Sequence, residues 1–121
     1  MSGSTVTSGG NTNTYVLGSV TGDNTFVGGV AGVNQSTIEY SYAAGLVTGT
    51  GSFTDGFAGY NSGTLVDAYY DDQTTGQGSG TQANGSKGVS TATLKASLPT
   101  GFSVCIWSQT AGHYPTLTNE P

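Results

Sequence analysis

Few side chains in this sequence are of types that do chemistry. The one acidic cluster is Asp71-Asp72, joined by Asp67. Oxygen-rich loops of this kind bind Ca²⁺ through carboxylates and carbonyls. The spacing of an EF-hand loop is missing here, and so is the Gly-Gly-x-Gly-x-Asp nonapeptide of calcium-binding β-rolls. A solvated turn is therefore the default reading of the cluster. Ca²⁺ at Asp67, Asp71 and Asp72 is the one cofactor the sequence suggests. Paired carboxylates also hydrolyse glycosides, but such sites usually add Arg or Lys to hold acidic sugars, and this chain has no Arg. Cys105 and His113 are the only residues of their types. A nucleophilic pair built from them would need the flanking motifs of cysteine enzymes, which are absent. Cys105 lies in an apolar run, where a free thiol is most often buried and inert. A lone His reads as structural or solvent-facing. No catalytic residue is assigned, and the chain is expected not to be an enzyme.

The tyrosines offer recognition rather than reaction. Tyr40, Tyr60, Tyr69 and Tyr70 are of a type that stacks on sugars or enters protein interfaces. The competing reading is that they fill the interior. Tyr60 and Tyr70 are the candidate ligand contacts, with packing and binding evenly balanced for both. Asn34-Gln35-Ser36 and Asn84-Gly85-Ser86 match the glycosylation pattern, which is too short to carry weight. The glycine spacings are not phosphate loops, because no Lys-Ser/Thr follows them.

Charge narrows the partners further. Lys87 and Lys95 are the only basic residues, and the net charge is −5. A phosphate-binding surface needs clustered cations, so nucleic acid is a poor partner. A membrane-surface helix needs them too. No apolar run approaches the roughly 20 residues of a transmembrane helix, so membrane insertion is not expected. The chain is poor in charge yet holds seven Tyr, four Phe and one Trp, which is not the composition of a disordered segment. Thr, Val and Tyr favour strands, while Gly and Asn supply turns. An all-β fold of many short strands follows.

What positions these side chains is a repeat. Gly18, Val20, Thr21, Gly22, Phe26, Gly29, Ala31, Gly32, Asn34, Thr37 and Tyr42 each recur 27 residues later, without a gap. The two copies are residues 18–44 and 45–71. Short apolar runs alternate with turns inside each copy, giving about three strands per unit. Phe26, Ile38, Tyr40 and Tyr42 fit the inward face better than Glu39 and Ser41. So small a unit cannot bury its apolar face alone and must stack on a neighbour. The expected fold is a short right-handed parallel β-solenoid of about two 27-residue coils. Gly28-Gly29, Gly32, Gly56 and Gly59 sit inside apolar runs, where Gly marks a bend or a close backbone approach. Asn34 and Asn61 share one turn position, where Asn can form a hydrogen-bonded ladder between coils.

The residues also carry a family likeness. Gly45-Leu46-Val47-Thr48-Gly49, followed by Gly56-Phe57-Ala58-Gly59-Tyr60-Asn61-Ser62-Gly63-Thr64-Leu65, resembles the GLUG motif. Gly28 to Asn34 and Ser41 to Gly45 resemble it in the first copy. Tyr69 to Gln77, Ser90 to Lys95 and Trp107 to Leu117 are similar to the segments that close such repeats, so the likeness spans roughly residues 16 to 117. Asp55 and Tyr70 depart from the pattern. The motif recurs in large secreted bacterial proteins, including filamentous-haemagglutinin-like adhesins. The resemblance therefore implies a secreted or cell-surface location and no catalytic residues.

The flanks differ from the repeat. Met1-Ser2-Gly3-Ser4 reads as an expression tail, so residues 1–16 are expected to be a tail or a partial N-terminal coil. Residues 73–89 read as a polar, Gly-rich loop, and residues 90–121 as a C-terminal cap. Ser90 to Ser97 is the one plausible helix, with Ser90 or Thr91 as N-cap and Leu94 and Leu98 on one face. Phe102, Val104 and Ile106 alternate like a strand. Caps cover the open edges of stacked repeats, and an open N-terminal edge would allow end-to-end self-association. The first functional reading is a structural or adhesive stalk segment. The second is a module that binds a host or cell-surface glycan or protein through its tyrosines and residues 73–87. Ice binding is remote, because the Thr-x-Thr pairs do not recur at 27 residues.

Overall fold

The computed structural model describes residues 5–6, 11–22, 26–49, 53–77, 80–81 and 85–118. The chain is mostly β, in several small sheets, with one short helix. Three two-residue strands come first: β1 (Thr5–Val6), β2 (Asn11–Thr12) and β3 (Tyr15–Val16). The first copy holds β4 (Val20–Gly22), β5 (Phe26–Gly28), β6 (Ala31–Asn34) and β7 (Thr37–Ala43). The second holds β8 (Val47–Gly49), β9 (Phe53–Asp55), β10 (Ala58–Asn61) and β11 (Thr64–Asp71). Then follow β12 (Gly80–Thr81), β13 (Lys87–Val89), α1 (Thr91–Ala96), β14 (Trp107–Ser108) and β15 (Thr116–Leu117).

Every strand of the second copy lies parallel to its counterpart in the first, in the register of the repeat. Val20 pairs with Val47, Phe26 with Phe53, Ala31 with Ala58 and Ile38 with Leu65. The arrangement extends to both sides. β2 and β3 pair with β7 at the same offset, Asn11 with Ile38 and Tyr15 with Tyr42. β1 pairs with β6 one residue out of that offset, Thr5 with Val33. β13 adds to the far side of β11, Tyr69 opposite Lys87, and β12 folds back antiparallel on β13. Residues 73–89, expected to be a loop, thus contain two strands. Unpaired N–H and C=O groups along β11 are the template that recruits β13.

Asn34 and Asn61 form the expected ladder. Asn34 is buried, and its Nδ2 donates to Asn61 Oδ1 at 2.7 Å and to Thr64 O at 3.3 Å. The amide therefore satisfies itself on its own repeat, which a buried amide requires.

One corner departs from the expected alternation. Asn13, Tyr40 and Asp67 all have positive φ, at 57°, 52° and 47°. They are spaced by the repeat length. Asn and Asp tolerate this left-handed conformation, whereas for Tyr it is unusual. The β7–β11 ladder skips the Tyr40–Asp67 pair, and side chains change face there. Tyr40 is consequently only half-buried, while Ser41, Tyr42 and Ala43 are buried in succession. Ser41 was expected outside. Its hydroxyl instead accepts from Thr14 N at 3.1 Å and donates to Glu39 O at 2.9 Å, joining the first copy to the segment before it.

The interior divides in two. Val30, Ile38, Ala43, Phe57 and Tyr70 pack inside the repeats. A Cβ on Gly56 would strike the Tyr70 ring, so this close approach requires glycine. The second core, containing Tyr42, Tyr69, Leu94, Phe102 and Trp107, lies between repeats and cap. Ser90 caps α1 by accepting from Thr93 N at 3.1 Å, and Leu94 is buried with Leu98 packed beside it. Phe102 to Ile106 is not the alternating strand expected. Ser103 Oγ accepts from Cys105 N, and Ser103 O accepts from the N–H groups of Ile106 and Trp107. This local turn chemistry overrides the apolar period. Val104 is 80% exposed, and Cys105, expected to be buried, is exposed.

Candidate functional site

The chemistry-bearing residues converge where the second copy ends and the cap begins. Asp71 closes β11 and is fully buried. Its Oδ1 accepts from Gln73 N at 2.9 Å, Thr74 N at 3.0 Å and Thr91 Oγ1 at 2.9 Å. Its Oδ2 accepts from Tyr114 Oη at 2.6 Å and from Thr91 Oγ1 at 2.7 Å. The bonds to Gln73 and Thr74 are those of an Asx turn, dictated locally. The Thr91 bond comes from the first residue of α1, and the Tyr114 bond from 43 residues away. Burial alone would raise the Asp71 pKa. The hydrogen bonds from Tyr114, Thr74, Thr91 and Gln73 outweigh it and hold the carboxyl below its ordinary value. Burial first, and then the hydrogen bond to Asp71, push the Tyr114 phenol up.

This carboxylate is saturated. A carboxylate offers about four lone-pair positions, and four donor groups occupy them. Ca²⁺ requires six to eight oxygen ligands, and none of the Asp71 oxygens is left to serve. Asp67 sits at the left-handed corner against Gly101, where a Cβ on the glycine would strike the Asp67 carboxylate. Among the described residues no three His, Cys, Asp or Glu side chains are grouped to hold a metal. The candidate Asp67–Asp71–Asp72 cation site is therefore not assembled among the described residues, and the buried Asp71 is not the solvated turn of the default reading either. Asp71 holds the cap instead, while Asp72 is half-buried beside it.

An aromatic ladder surrounds this node. Tyr15, Tyr42 and Tyr69 occupy equivalent positions on adjacent strands. The Tyr15 and Tyr42 rings stack at 5.5 Å and 8°. Phe102 and Trp107, themselves 4.6 Å apart, lie over Tyr42, and Phe102 meets Tyr69 edge-on. The polar atoms of Tyr42, Tyr69 and Trp107 have partners, as burial demands. Tyr42 Oη donates to Pro115 O, Tyr69 Oη to Thr100 O at 2.9 Å, and Trp107 Nε1 to Asn13 Oδ1 at 3.1 Å. The Lys95 ammonium sits 4.8 Å from the centre of the Tyr114 ring.

The two candidate ligand tyrosines part company. Tyr70 is fully buried against Gly56, and its hydroxyl pKa is pushed up to about 12, by burial first and then by Asp55 and Asp72. It cannot meet a ligand. Tyr60 is 42% exposed, with its ring 5.5 Å from that of Phe26. The half-buried Phe26, absent from the sequence-based candidates, backs the exposed Tyr60 ring. Its recurrence as Phe53 was the available signal. Cys105 and His113 are both exposed, on separate turns of the cap. Comparison with protein-family models, curated proteins and solved structures returns no match.

Proposed function

We propose that this chain is the capped end of a right-handed parallel β-solenoid, serving as a structural or adhesive segment of a secreted or cell-surface bacterial protein. The supporting observation is the strand-on-strand parallel pairing of two copies at the repeat offset. Such pairing adds one strand spacing per copy, and parallel crossovers are overwhelmingly right-handed. The GLUG-like residues supply the surface location. The role is mechanical: cross-copy ladders carry the length, and the Asp71 node closes the end. The N-terminal edge is the surface for end-to-end self-association.

The test is to insert further copies of residues 18–44 ahead of residue 18. Each copy should lengthen the particle by about 4.8 Å, the spacing of paired strands, in small-angle scattering. The unfolding midpoint should rise with each copy, because neighbour interfaces add. Copies that leave the long dimension unchanged would overturn the solenoid.

A second reading has one observation in its favour. The exposed Tyr60 ring, backed by the half-buried Phe26, is suited to stacking on a sugar ring or entering a protein interface. A glycan-array screen should then show binding that Tyr60→Ala abolishes. A blank array would count against glycans.

A further inference from the structure

One concavity of mixed lining plays no part in the stalk reading. It lies between β13 and α1 and has a volume of about 200 Å³. Tyr69, Leu94 and Leu98 form its apolar wall, and Lys87, Thr93 and Ser97 its polar side. Lys87 and Tyr69 stand side by side because β13 and β11 pair in register there. The Tyr69 hydroxyl is committed to Thr100 O, so this ring offers only apolar surface. The Lys87 ammonium makes no hydrogen bond or ion pair among the described residues. The chain's other cation, Lys95, is held over the Tyr114 ring. An uncommitted cation beside two hydroxyls and a leucine wall is thus a single, defined place for an anion with an apolar face.

We propose that this cleft binds one carboxylated monosaccharide. Lys87 meets the carboxylate, Thr93 and Ser97 hydrogen-bond ring hydroxyls, and the half-buried Leu98 takes the C–H face, backed by the buried Leu94. Size and charge set the class. Pockets for drug-sized ligands run from about 300 to 1,000 Å³, so the smaller volume here holds a single ring. Asp67 lines the hollow of about 190 Å³ on the other side of Lys87. That carboxylate and the net charge of −5 repel a second negative group. The ligand is accordingly a lone or terminal acid sugar, not a run of them. An exposed charge pair contributes little, so binding should be in the millimolar range.

The test is a titration of the whole chain, labelled with ¹⁵N, with glucuronate, glucose and acetate in parallel. Glucuronate should shift the amides of Lys87, Val89, Thr93 and Ser97 saturably. Glucose and acetate should each bind at least tenfold more weakly. Lys87→Gln should weaken glucuronate binding about threefold to fivefold, while Lys95→Gln leaves it unchanged. Lys87 is exposed, so its variant should keep the native spectrum. Ser97→Val provides an independent loss at the hydroxyl side. Absence of saturable shifts, equal binding of glucose or acetate, or unchanged binding in Lys87→Gln would each overturn the proposal. The stalk reading is measured by particle length and stands or falls separately.

Discussion

The first and second copies of the 27-residue unit share a backbone path but not the same neighbours. Strand by strand the first is covered by the second and the second by β13, while the cap packs against Tyr42 of the first and Tyr69 of the second. Their sequences differ where that cover differs. Gly28 becomes Asp55 and Ala44 becomes Asp71. A Cβ on Gly28 would strike Ala31 O of its own copy and the backbone of Gly59 and Phe57 in the next copy. At Asp55 no further copy intrudes. Its Oδ2 accepts from Phe57 N at 2.9 Å and from Ser86 Oγ at 3.4 Å. The lesson is that a covered position must be small. The last copy can carry ionised side chains, provided non-repeat segments satisfy them.

The largest effect should come from loosening the cap, which packs across both copies. Trp107→Ala empties the core between repeats and cap and should cost about 3–5 kcal/mol, read by urea unfolding. Exchanging the copies' residues tests the rule directly. Gly28→Asp forces a carboxylate into the next copy's backbone and should cost about 3 kcal/mol or more. The reciprocal Asp55→Gly loses the turn bond from Phe57 N and the long bond from Ser86 Oγ and should cost about 1–2 kcal/mol. Equal costs for the two would refute the cover argument.

Asp71→Asn keeps the shape and removes the charge, and should cost about 2 kcal/mol through weakened charge-assisted bonds. The pH dependence has a definite sign. The folded pKa of Asp71 lies below its unfolded value, so its stabilisation is present above the unfolded value, about 3.9. It is lost as pH falls through the folded pKa. Acid titration of unfolding should therefore be shallower in Asp71→Asn. Tyr60→Ala, on the exposed face, should change stability by less than about 1 kcal/mol. It sharpens the contrast with Tyr70, whose ring is buried.

Much of this was legible in residue order. The period of 27 residues, the Asn34–Asn61 ladder and the Ser90 cap were all readable locally. Tyr60 and Tyr70 were indistinguishable by type. Tyr70 goes inside because it follows the left-handed corner at Asp67 and lies over Gly56. The alternation rule failed at Ser41 for the same reason, since one residue of positive φ reverses which side chains face in. Cys105 was misplaced because the Ser103 turn outweighs the apolar run.

The acidic cluster shows most plainly what each level determines. Residue types and spacing alone determined the low charge, the repeat and the register, because side chains that recur at one interval are buried together only when the copies pair in register. They also determined that Asp71 starts an Asx turn. Only the tertiary structure decided what its carboxylate does. Thr91 and Tyr114 reach it across 20 and 43 residues of chain, and nothing in local sequence encodes such contacts. They arise because the cap must cover the last strand, and a carboxylate enclosed there must gather donors from whatever segment covers it.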